Sequence, residues 1–213
     1  MESCNTEVLY TMKIASLIIG IDGWQKYTQP LIDSLAEHEP ECLVVVIDNA
    51  SQTPYPAHDA SPIIQRTERL CYSAAINRAH DLAGDADWYI VLSNDVLCTG
   101  PFSDMLVELP SDGIAGPQIW HEHSLDWIVG WCVCIPQNIW NMIGGWDENY
   151  KVSSWEDVDL SATAVEHDYD LYHVPALPFV HLDQKQRFTL TPNYWSSETF
   201  NRNYFFSKHA GAK

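Results

Sequence analysis

Short apolar runs that each end near an acidic residue constrain the fold of this 213-residue chain more than any other feature. Segments with helical periodicity, at 29–38 and 73–83, separate the runs. Continuous apolar strands separated by helices are typical of a parallel sheet covered on both faces. The carboxyl ends of such strands meet at one edge, where ligands bind, so we expect the acids to share that edge. The runs and their acids are 13–21 with Asp22, 42–47 with Asp48, and 88–92 with Asp95.

The second half of the sequence predicts a less regular mixture of strands and helices. No internal repeat or low-complexity linker divides the chain, so we expect one domain over 1–213. The fold class that follows is α/β, with a mostly parallel central sheet flanked by helices. The later segments are a strand at 127–135, helices at 136–143, 156–167 and 196–208, and short strands at 171–174 and 179–181.

The net charge of −18 argues against tight nonspecific binding to nucleic acid, which requires basic patches. The charge is uneven, because the residues from Leu182 onward carry an excess of three positive charges. That basic segment could meet a phosphate-bearing ligand, or it could be an ordinary solvated terminal helix.

The chain shows neither an apolar run of about 20 residues that could span a bilayer nor the pattern of a signal peptide. Its N-terminal apolar run stops at Asp22. Six cysteines show no CxxC spacing, which favours free thiols in a reducing compartment over a zinc site. We therefore expect a cytoplasmic protein.

The segment 155–160 concentrates three carboxylates in four positions. One interpretation is local, because Ser153 or Ser154 can form a capping box with an acid three residues later, and the macrodipole favours acids in a first helical turn. The other interpretation is functional, because a carboxylate at a helix start is rigidly aimed and suits a general base. The three acids are Glu156, Asp157 and Asp159.

His181 ends a short apolar strand, and Asn94 and Asp95 follow the run at 88–92. A lone histidine in such a position is more often structural than a ligand. An imidazole and a carboxylate with further oxygen donors suit Mn²⁺ or Mg²⁺, and Mn²⁺ is better matched to nitrogen. If the fold brings Asp95, His181 and Asp157 together, they form a site for a divalent cation and a general base.

Nine tryptophans are many for this length, and most should lie in the core. Trp131, Trp146 and Trp155 flank the acidic motifs. An aromatic face beside carboxylates could stack on a sugar ring.

Taken in order, these motifs resemble glycosyltransferase family 2, which consists of inverting, metal-dependent enzymes with the GT-A fold. The likeness covers nearly the whole chain, and residues 203–208 are similar to the closing helix of that family. Each motif alone is weak, whereas their shared order is specific. The matching segments are 46–51 (VIDNAS), 72–78 (YSAAINR), 92–95 (LSND), 144–148 (GGWDE), and 155–160 (WEDVDL) with His181.

The resemblance implies a Rossmann-like nucleotide-sugar-binding half over about 13–100 and an acceptor and catalytic half over about 101–213. It implies that Asp157 is the general base, with Glu156 beside it, and that Asp95 and His181 hold the cation that bridges the diphosphate. It also implies further contacts: to the nucleotide sugar from Asp48, Ser51, Asn77, Asn94 and Asp95, and to the acceptor or the donor sugar from Trp131, Trp146, Asp147, Glu148 and Trp155.

The chain departs from the family pattern at two informative positions. Ser93 stands where many members have Asp or Asn, and Thr163 stands where arginine is frequent. The second departure implies that a contact to the diphosphate or to the acidic motif comes from Lys185 or Arg187 instead.

The expected function is a metal-dependent, inverting transfer of a sugar, of the hexosyltransferase type, from a nucleotide sugar to a hydroxyl group. We expect a UDP-sugar as the donor. Two alternatives stay open: a catalytically silent module of the same fold that binds a glycan or a nucleotide sugar, and a nucleotidyltransferase. The acceptor is also open, between a glycan, a lipid-linked sugar, a protein side chain and a hydroxylated base in viral DNA.

Overall fold

The computed structural model describes residues 12–122, 124–182 and 194–210. In chain order, its elements are β1 (Ile14–Gly20), a π-helical turn (Trp24–Thr28), α1 (Gln29–His38), β2 (Leu43–Asn49), β3 (Ile63–Thr67), α2 (Tyr72–Ala83), β4 (Trp88–Ser93), β5 (Val96–Cys98), α3 (Ser103–Glu108), β6 (Gly113–Gly116), β7 (Ile119–Glu122), β8 (Leu125–Ile128), β9 (Cys132–Pro136), α4 (Gln137–Ile143), α5 (Glu156–Glu166), β10 (Asp170–His173), β11 (Phe179–His181) and α6 (Tyr194–Lys208).

Seven strands form one mostly parallel sheet, in the order β10-β6-β9-β4-β1-β2-β3. The exception is β9, which runs antiparallel to its neighbours β4 and β6. Strands β5 and β11 form a small antiparallel pair beside the sheet, and β7 and β8 form a hairpin. This arrangement confirms the predicted α/β class with a mostly parallel central sheet.

Helices cover both faces of the sheet, which is why its central strands are mostly apolar on both faces rather than alternating. All seven residues of β1 are buried, and successive side chains point to opposite faces. Leu17 packs in the cluster that contains Ala75 of α2, whereas Ile18 packs with Leu31 of α1. Fully burying a leucine or isoleucine side chain stabilises the fold by about 1.5–3 kcal/mol.

The strands β1, β2 and β4 end at the same level. Gly20 pairs with Asp48, and Ile19 pairs with Ser93. Asp22 and Asp95 follow two residues beyond their strands. The strand ends that precede the acids therefore lie along one sheet edge, as the apolar runs predicted.

The prediction of one continuous strand at 127–135 is wrong. The hairpin strand β8 ends at Ile128, the sheet strand β9 begins at Cys132, and a loop separates them. The backbone N–H of Val129 donates to Gln118, and that of Ser93 donates to Trp131. The loop is thus held between the hairpin and β4, while the apolar alternation that the sequence shows runs on through both strands.

The predicted capping box at the start of α5 is also wrong. The helix begins at Glu156, but its N-cap residue is Trp155 in the left-handed region, with φ 73°, and no side chain caps it. The helix start is therefore built by the shape of the preceding loop.

The cysteines Cys42, Cys71, Cys98, Cys132 and Cys134 are free thiols, and Cys4 lies outside the described residues. Within the described ranges, none of the helices combines the length and the hydropathy needed to cross a bilayer.

Candidate active site

A cavity of about 700 Å³ opens where β1 and β4 end. Its walls come from the strand ends, the start of α2, the hairpin β7–β8, the loop before β9, the loop before α5, the end of β11 and the start of α6. Motif residues from both halves of the sequence line this cavity. The predicted site residues on its walls are Asn94, Asp95, Trp131, Trp155, Glu156, Asp157 and His181.

Asp95 and His181 are neighbours although 86 residues separate them in the sequence. The ring nitrogen Nε2 of His181 lies 3.2 Å from Oδ1 of Asp95. The pairing of β11 with β5 creates this contact, because it sets His181 opposite Val96, the residue after Asp95. The imidazole also stacks on Trp131, with ring centroids 5.2 Å apart and planes inclined by 14°. The ring is thus oriented on one side by an indole and on the other by a carboxylate.

The Asp95–His181 pair has the donor atoms and the spacing of two adjacent metal ligands. Mg²⁺ binds its ligands octahedrally at about 2.0–2.1 Å, so adjacent ligand atoms stand about 3 Å apart. Imidazole nitrogen also suits Mn²⁺. Over the described parts of the chain, no group of three or more His, Cys, Asp or Glu residues could hold a metal. A cation held by these two side chains would therefore complete its coordination with other oxygen atoms, such as those of a diphosphate.

Asp157 stands in the first turn of α5 and is held by two backbone donors. Its Oδ2 accepts a hydrogen bond of 2.8 Å from the N–H of Gly130, and its Oδ1 accepts one of 3.0 Å from the N–H of Val158. A Cβ atom at Gly130 would lie 3.0 Å from Cβ of Asp157, which is tighter than most Cβ contacts and would push the Asp157 side chain away. The absence of a side chain at Gly130 thus permits the approach that orients the carboxylate.

The carboxylates of the cavity act together on Tyr72. Burial raises the pKa of the Tyr72 hydroxyl, and the negative charges of Glu156, Asp157 and Asp95 raise it further. The hydroxyl donates to the carbonyl of Gly130 at 3.2 Å. Tyr72 is therefore a neutral hydrogen-bond donor that joins α2 to the loop behind Asp157.

The loop before α5 has an unusual backbone conformation. Val152, Ser154 and Trp155 have φ values of 56°, 95° and 73°. The left-handed region disfavours residues with a side chain, above all β-branched ones, and each such residue costs about 1–3 kcal/mol. All three residues line the cavity, immediately before Glu156 and Asp157. The shape that delivers the two acids is therefore imposed by contacts outside the loop.

Asn201 of α6 supplies the main contacts. Its Nδ2 donates to the carbonyls of Lys151 and Ser154, at 2.8 Å each, and its Oδ1 accepts from the N–H of Lys151 at 2.8 Å. Asn201 is fully buried. The indole N–H of Trp155 adds a bond of 3.1 Å to Glu198. The C-terminal helix thus holds the loop through side chains more than 40 residues away in the sequence.

Asp159, the third acid of the motif, points away from the cavity. The ammonium group of Lys208 lies 2.8 Å from its carboxylate, as does Nε2 of His209, and Tyr150 donates to it at 2.9 Å. Lys208 also reaches Asp147 at 2.8 Å. Asp159 therefore anchors α6, so the acidic motif divides into two cavity acids and one structural acid.

This charge cluster shifts the pKa values of its members. Burial alone would raise the pKa of Asp147, but its hydrogen bonds with Lys208 and Asn149 outweigh burial and lower the pKa to about 2. Burial opposes the charge of Lys208, yet its bonds to Asp147 and Asp159 raise its pKa overall. Lys185 and Arg187, to which the resemblance assigned a contact with the diphosphate or the acidic motif, lie outside the described residues. Among the described residues, Lys208 contacts the acidic motif at Asp159.

Asp48 and Ser51, which the resemblance placed at the nucleotide, are buried and do not line the cavity. The Asp48 carboxylate accepts from the N–H groups of Ser51 at 2.9 Å and Tyr55 at 3.1 Å. The Ser51 hydroxyl accepts from the N–H of Asp22 at 2.8 Å. In this conformation both side chains shape the loops at the strand ends, and their contact with a nucleotide stays a prediction.

The residues around 144–148 are likewise set back from the cavity. The Asn77 side chain bonds the N–H of Trp146 at 2.9 Å and its carbonyl at 2.8 Å, and it donates to Glu148 at 2.9 Å. Trp146 is buried in the core beside Tyr72. Asp147 faces Lys208. Neither Asn77 nor the three residues of the 146–148 segment line the cavity.

Two arginines on the cavity wall were not among the predicted site residues. Arg69 precedes α2, and burial lowers its pKa while the charge of Asp22 opposes that shift. Arg202 lies on α6, one residue after Asn201. Both add positive charge to an otherwise acidic cavity. For Arg202, the basic C-terminal segment was the available signal, whereas nothing in the local sequence marks Arg69.

The fold is that of the GT-A glycosyltransferases. A mannosyltransferase from Pyrobaculum calidifontis, solved with GDP-Man and Mn²⁺, superposes with a TM-score of 0.70 and 14% identity, over 96% of this chain and 66% of its own. The catalytic domain of Drosophila beta1,4-galactosyltransferase 7, solved with xylobiose, gives 0.60 and 16%, over 90% and 80%. GalNAc-T7, solved with UDP, GalNAc and Mn²⁺, gives 0.72 and 12%, over 92% and 50%.

The chain thus spans two thirds or less of two of these proteins. No family model matches the sequence, and no curated protein matches it. At these identities the likeness establishes the fold and leaves the activity to be argued from the site.

Proposed function

We propose that this chain, which has the GT-A fold, is a metal-dependent inverting glycosyltransferase. It transfers a sugar from a nucleotide sugar, with UDP as the nucleotide, to a hydroxyl group. The observation that carries the proposal is the arrangement of the cavity. A carboxylate–imidazole pair, with 3.2 Å between Oδ1 of Asp95 and Nε2 of His181, shares one cavity with a second, oriented carboxylate, that of Asp157.

The three solved neighbours support this assignment. Two of them hold Mn²⁺, one with GDP-Man and the other with UDP and GalNAc, and the third holds a disaccharide. The donor set of Asp95 and His181 fits the same kind of cation. A divalent cation bound there would neutralise charge on a leaving diphosphate, so that it departs without a proton.

The chain's own residues then have a simple division of labour. Asp157 accepts the proton of the acceptor hydroxyl group. At the same time the oxygen of that hydroxyl group forms a bond to the anomeric carbon, from the face opposite the diphosphate. The bond from that carbon to the phosphate oxygen breaks, and the nucleoside diphosphate leaves. The N–H groups of Gly130 and Val158 keep the Asp157 carboxylate aimed. Because the leaving group needs no proton, one base suffices, unlike the carboxylate pair of a glycoside hydrolase.

The cations of the cavity wall complete the assignment. Arg69 and Arg202 supply positive charge that favours a diphosphate in a cavity that also carries Asp95, Glu156 and Asp157. We assign Arg69 to the donor phosphates, whereas Arg202 stands on α6, the helix that also carries Trp195. Glu156 stands beside the base and adds to the negative field that keeps Tyr72 protonated.

The test is a turnover assay on the purified chain with a panel of UDP-sugars and GDP-sugars and Mn²⁺. We expect release of the nucleoside diphosphate with at least one UDP-sugar, and a product whose anomeric configuration, read by NMR, is inverted. Release of pyrophosphate from a nucleoside triphosphate would instead identify a nucleotidyltransferase. Binding of a nucleotide sugar without any release would identify a catalytically silent module.

The metal assignment has its own test. His181→Ala should raise the Mn²⁺ concentration required for half-maximal turnover, because it removes one of two protein donors. His173→Ala is the matched control, since His173 lies exposed at the end of β10 and off the cavity wall. An unchanged Mn²⁺ titration in His181→Ala would overturn the role of His181 as a ligand.

A further inference from the structure

The outer part of the cavity carries aromatic side chains that the proposed chemistry leaves unused. Trp120 of β7 and Trp195 of α6 both line the cavity, yet 45% of Trp120 and 70% of Trp195 is exposed. Solvent exposure of large apolar side chains in a concave site is typical of a ligand surface. The residues assigned so far hold the donor and the reacting hydroxyl, so this surface is available to the rest of the acceptor.

The ring of Trp120 is supported from behind. Trp127, on the paired strand β8, packs edge-on against it at a centroid distance of 6.1 Å and an angle of 77°, and Trp127 is itself buried. Such an edge-to-face contact orients the indole. A rigid aromatic face that needs no ordering on binding costs little entropy, which suits it to a flat, weakly polar ligand face.

Polar groups stand on the same wall. Glu122 follows Trp120 on the hairpin by two residues, so both side chains project from the same side of the strand. Glu198 and Arg202 follow Trp195 on α6 by three and seven residues, so they share its helix face. All three line the cavity. Carboxylates accept and guanidinium groups donate the hydrogen bonds that hydroxyl groups make.

We propose that the acceptor is a saccharide, one of whose rings stacks on the aromatic surface formed by Trp120 and Trp195 while a hydroxyl group reaches Asp157. This inference rests on the proposed glycosyl transfer and names its acceptor class. A sugar ring combines an apolar C–H face with a rim of hydroxyl groups, which matches indole faces beside Glu122, Glu198 and Arg202. A nucleic acid acceptor is disfavoured, because the wall carries carboxylates and the net charge is −18.

The subsite lies apart from the 146–148 segment. The resemblance assigned contacts with the acceptor or the donor sugar to Trp146, Asp147 and Glu148, which do not line the cavity in this conformation, and those contacts stay a prediction. The hairpin and the start of α6 carry aromatic and acidic groups that do line it.

The experiment compares wild type, Trp120→Ala, Trp195→Ala and Phe200→Ala with a series of methyl glycosides and disaccharides as acceptors. Phe200 is the matched control, because it is an exposed aromatic residue of α6 that does not line the cavity. We expect the KM for the saccharide to rise about tenfold or more in both tryptophan variants, with a smaller change in kcat. Trp120→Phe should recover part of the loss, and Phe200→Ala should match the wild type.

The outcomes separate the acceptor inference from the proposed function. If the wild type releases nucleoside diphosphate slowly in buffer and saccharides accelerate the release, both stand. If release occurs but saccharides have no effect, while DNA with hydroxymethylated bases or vesicles with a polyprenol acceptor accelerate it, the saccharide inference is overturned and glycosyl transfer stands. If no donor releases nucleoside diphosphate under any condition, the proposed function itself fails. An unchanged saccharide KM in both tryptophan variants would also overturn the subsite.

Discussion

The strand-end half of the cavity and the acidic-loop half are built in opposite ways. In the first, the parallel strands β1, β2 and β4 set the backbone by pairing, and the polar residues at their ends bond to neighbouring loops, as the Asn49 side chain does with the N–H and carbonyl groups of Leu70. In the second, Asp157 follows a loop with three left-handed residues that no strand pairing supports. The difference indicates that paired strands fix the position of a site residue without backbone strain. An irregular loop needs partners from elsewhere in the chain to hold its shape.

Those partners come from one element. On the C-terminal helix α6, Asn201 bonds to the loop backbone and Glu198 accepts from the indole of Trp155. The same helix is anchored to Asp159 through Lys208. A hydrogen bond contributes about 1 kcal/mol net, and leaving a buried amide unpaired costs about 1–3 kcal/mol. Several bonds of this size can offset the strain of the loop. The second half therefore depends on a helix that contributes little to the central sheet.

Asp157→Asn should produce the largest effect, because it removes the proposed base while keeping the side-chain shape. We expect turnover to fall by about 10²–10⁴-fold, the usual contribution of a general base. Binding of the nucleoside diphosphate, followed by calorimetry, should stay close to the wild-type value. Near-normal turnover would assign the base elsewhere, with Glu156 as the next candidate.

Asn201→Ala should come second and tests whether α6 holds the acidic loop. We expect turnover to fall by about 10–100-fold, because small displacements of a reacting group cost that much, while the KM for the donor changes little. Hydrogen exchange should increase in residues 151–155. The matched control is Asn203→Ala, an exposed position on the same helix. Equal turnover per folded molecule in both variants would show that the loop keeps its shape without the amide.

Asp48→Asn probes the strand-end half and should act mainly on stability. The amide has only one oxygen, so it cannot accept from the N–H groups of both Ser51 and Tyr55 as the carboxylate does. It also removes the negative charge beside Arg66, which lies 3.5 Å away. We expect the free energy of unfolding to fall by about 1–3 kcal/mol in chemical denaturation. A rise in donor KM beyond that loss would instead support the contact with the nucleotide that the family resemblance implies.

Acid titration of Asp147 should give the smallest effect. Its folded pKa of about 2 lies below its ordinary value of 3.8, so its interaction with Lys208 stabilises the fold above about pH 4. That contribution is lost as the pH falls from about 4 through about 2. Asp147→Asn should therefore flatten the decline of stability in this window, measured by thermal unfolding. An unchanged pH profile would mean that other carboxylates dominate the acid response.

The sequence predicted well wherever a residue type and a local period carry the information. The helix at 29–38 and the strand at 179–181 have the predicted bounds, and the apolar runs of β1, β2 and β4 lie where expected, because a strand buried on both faces is mostly apolar. The motif order also pointed to the GT-A fold. The sequence did not predict the break between β8 and β9, since both strands continue one alternating apolar pattern.

By itself, the sequence determined the sheet, the acids at its edge and the acidic start of α5, because burial along an element leaves a continuous or periodic apolar pattern that also shows where the element begins and ends. Only the tertiary structure decided which polar side chains face the cavity. It joined Asp95 to His181 through the β5–β11 pairing, turned Asp159 to Lys208, and set Asn201 under the loop. Those outcomes depend on hydrogen bonds and ion pairs between distant segments, whose partners leave no periodic trace in the chain.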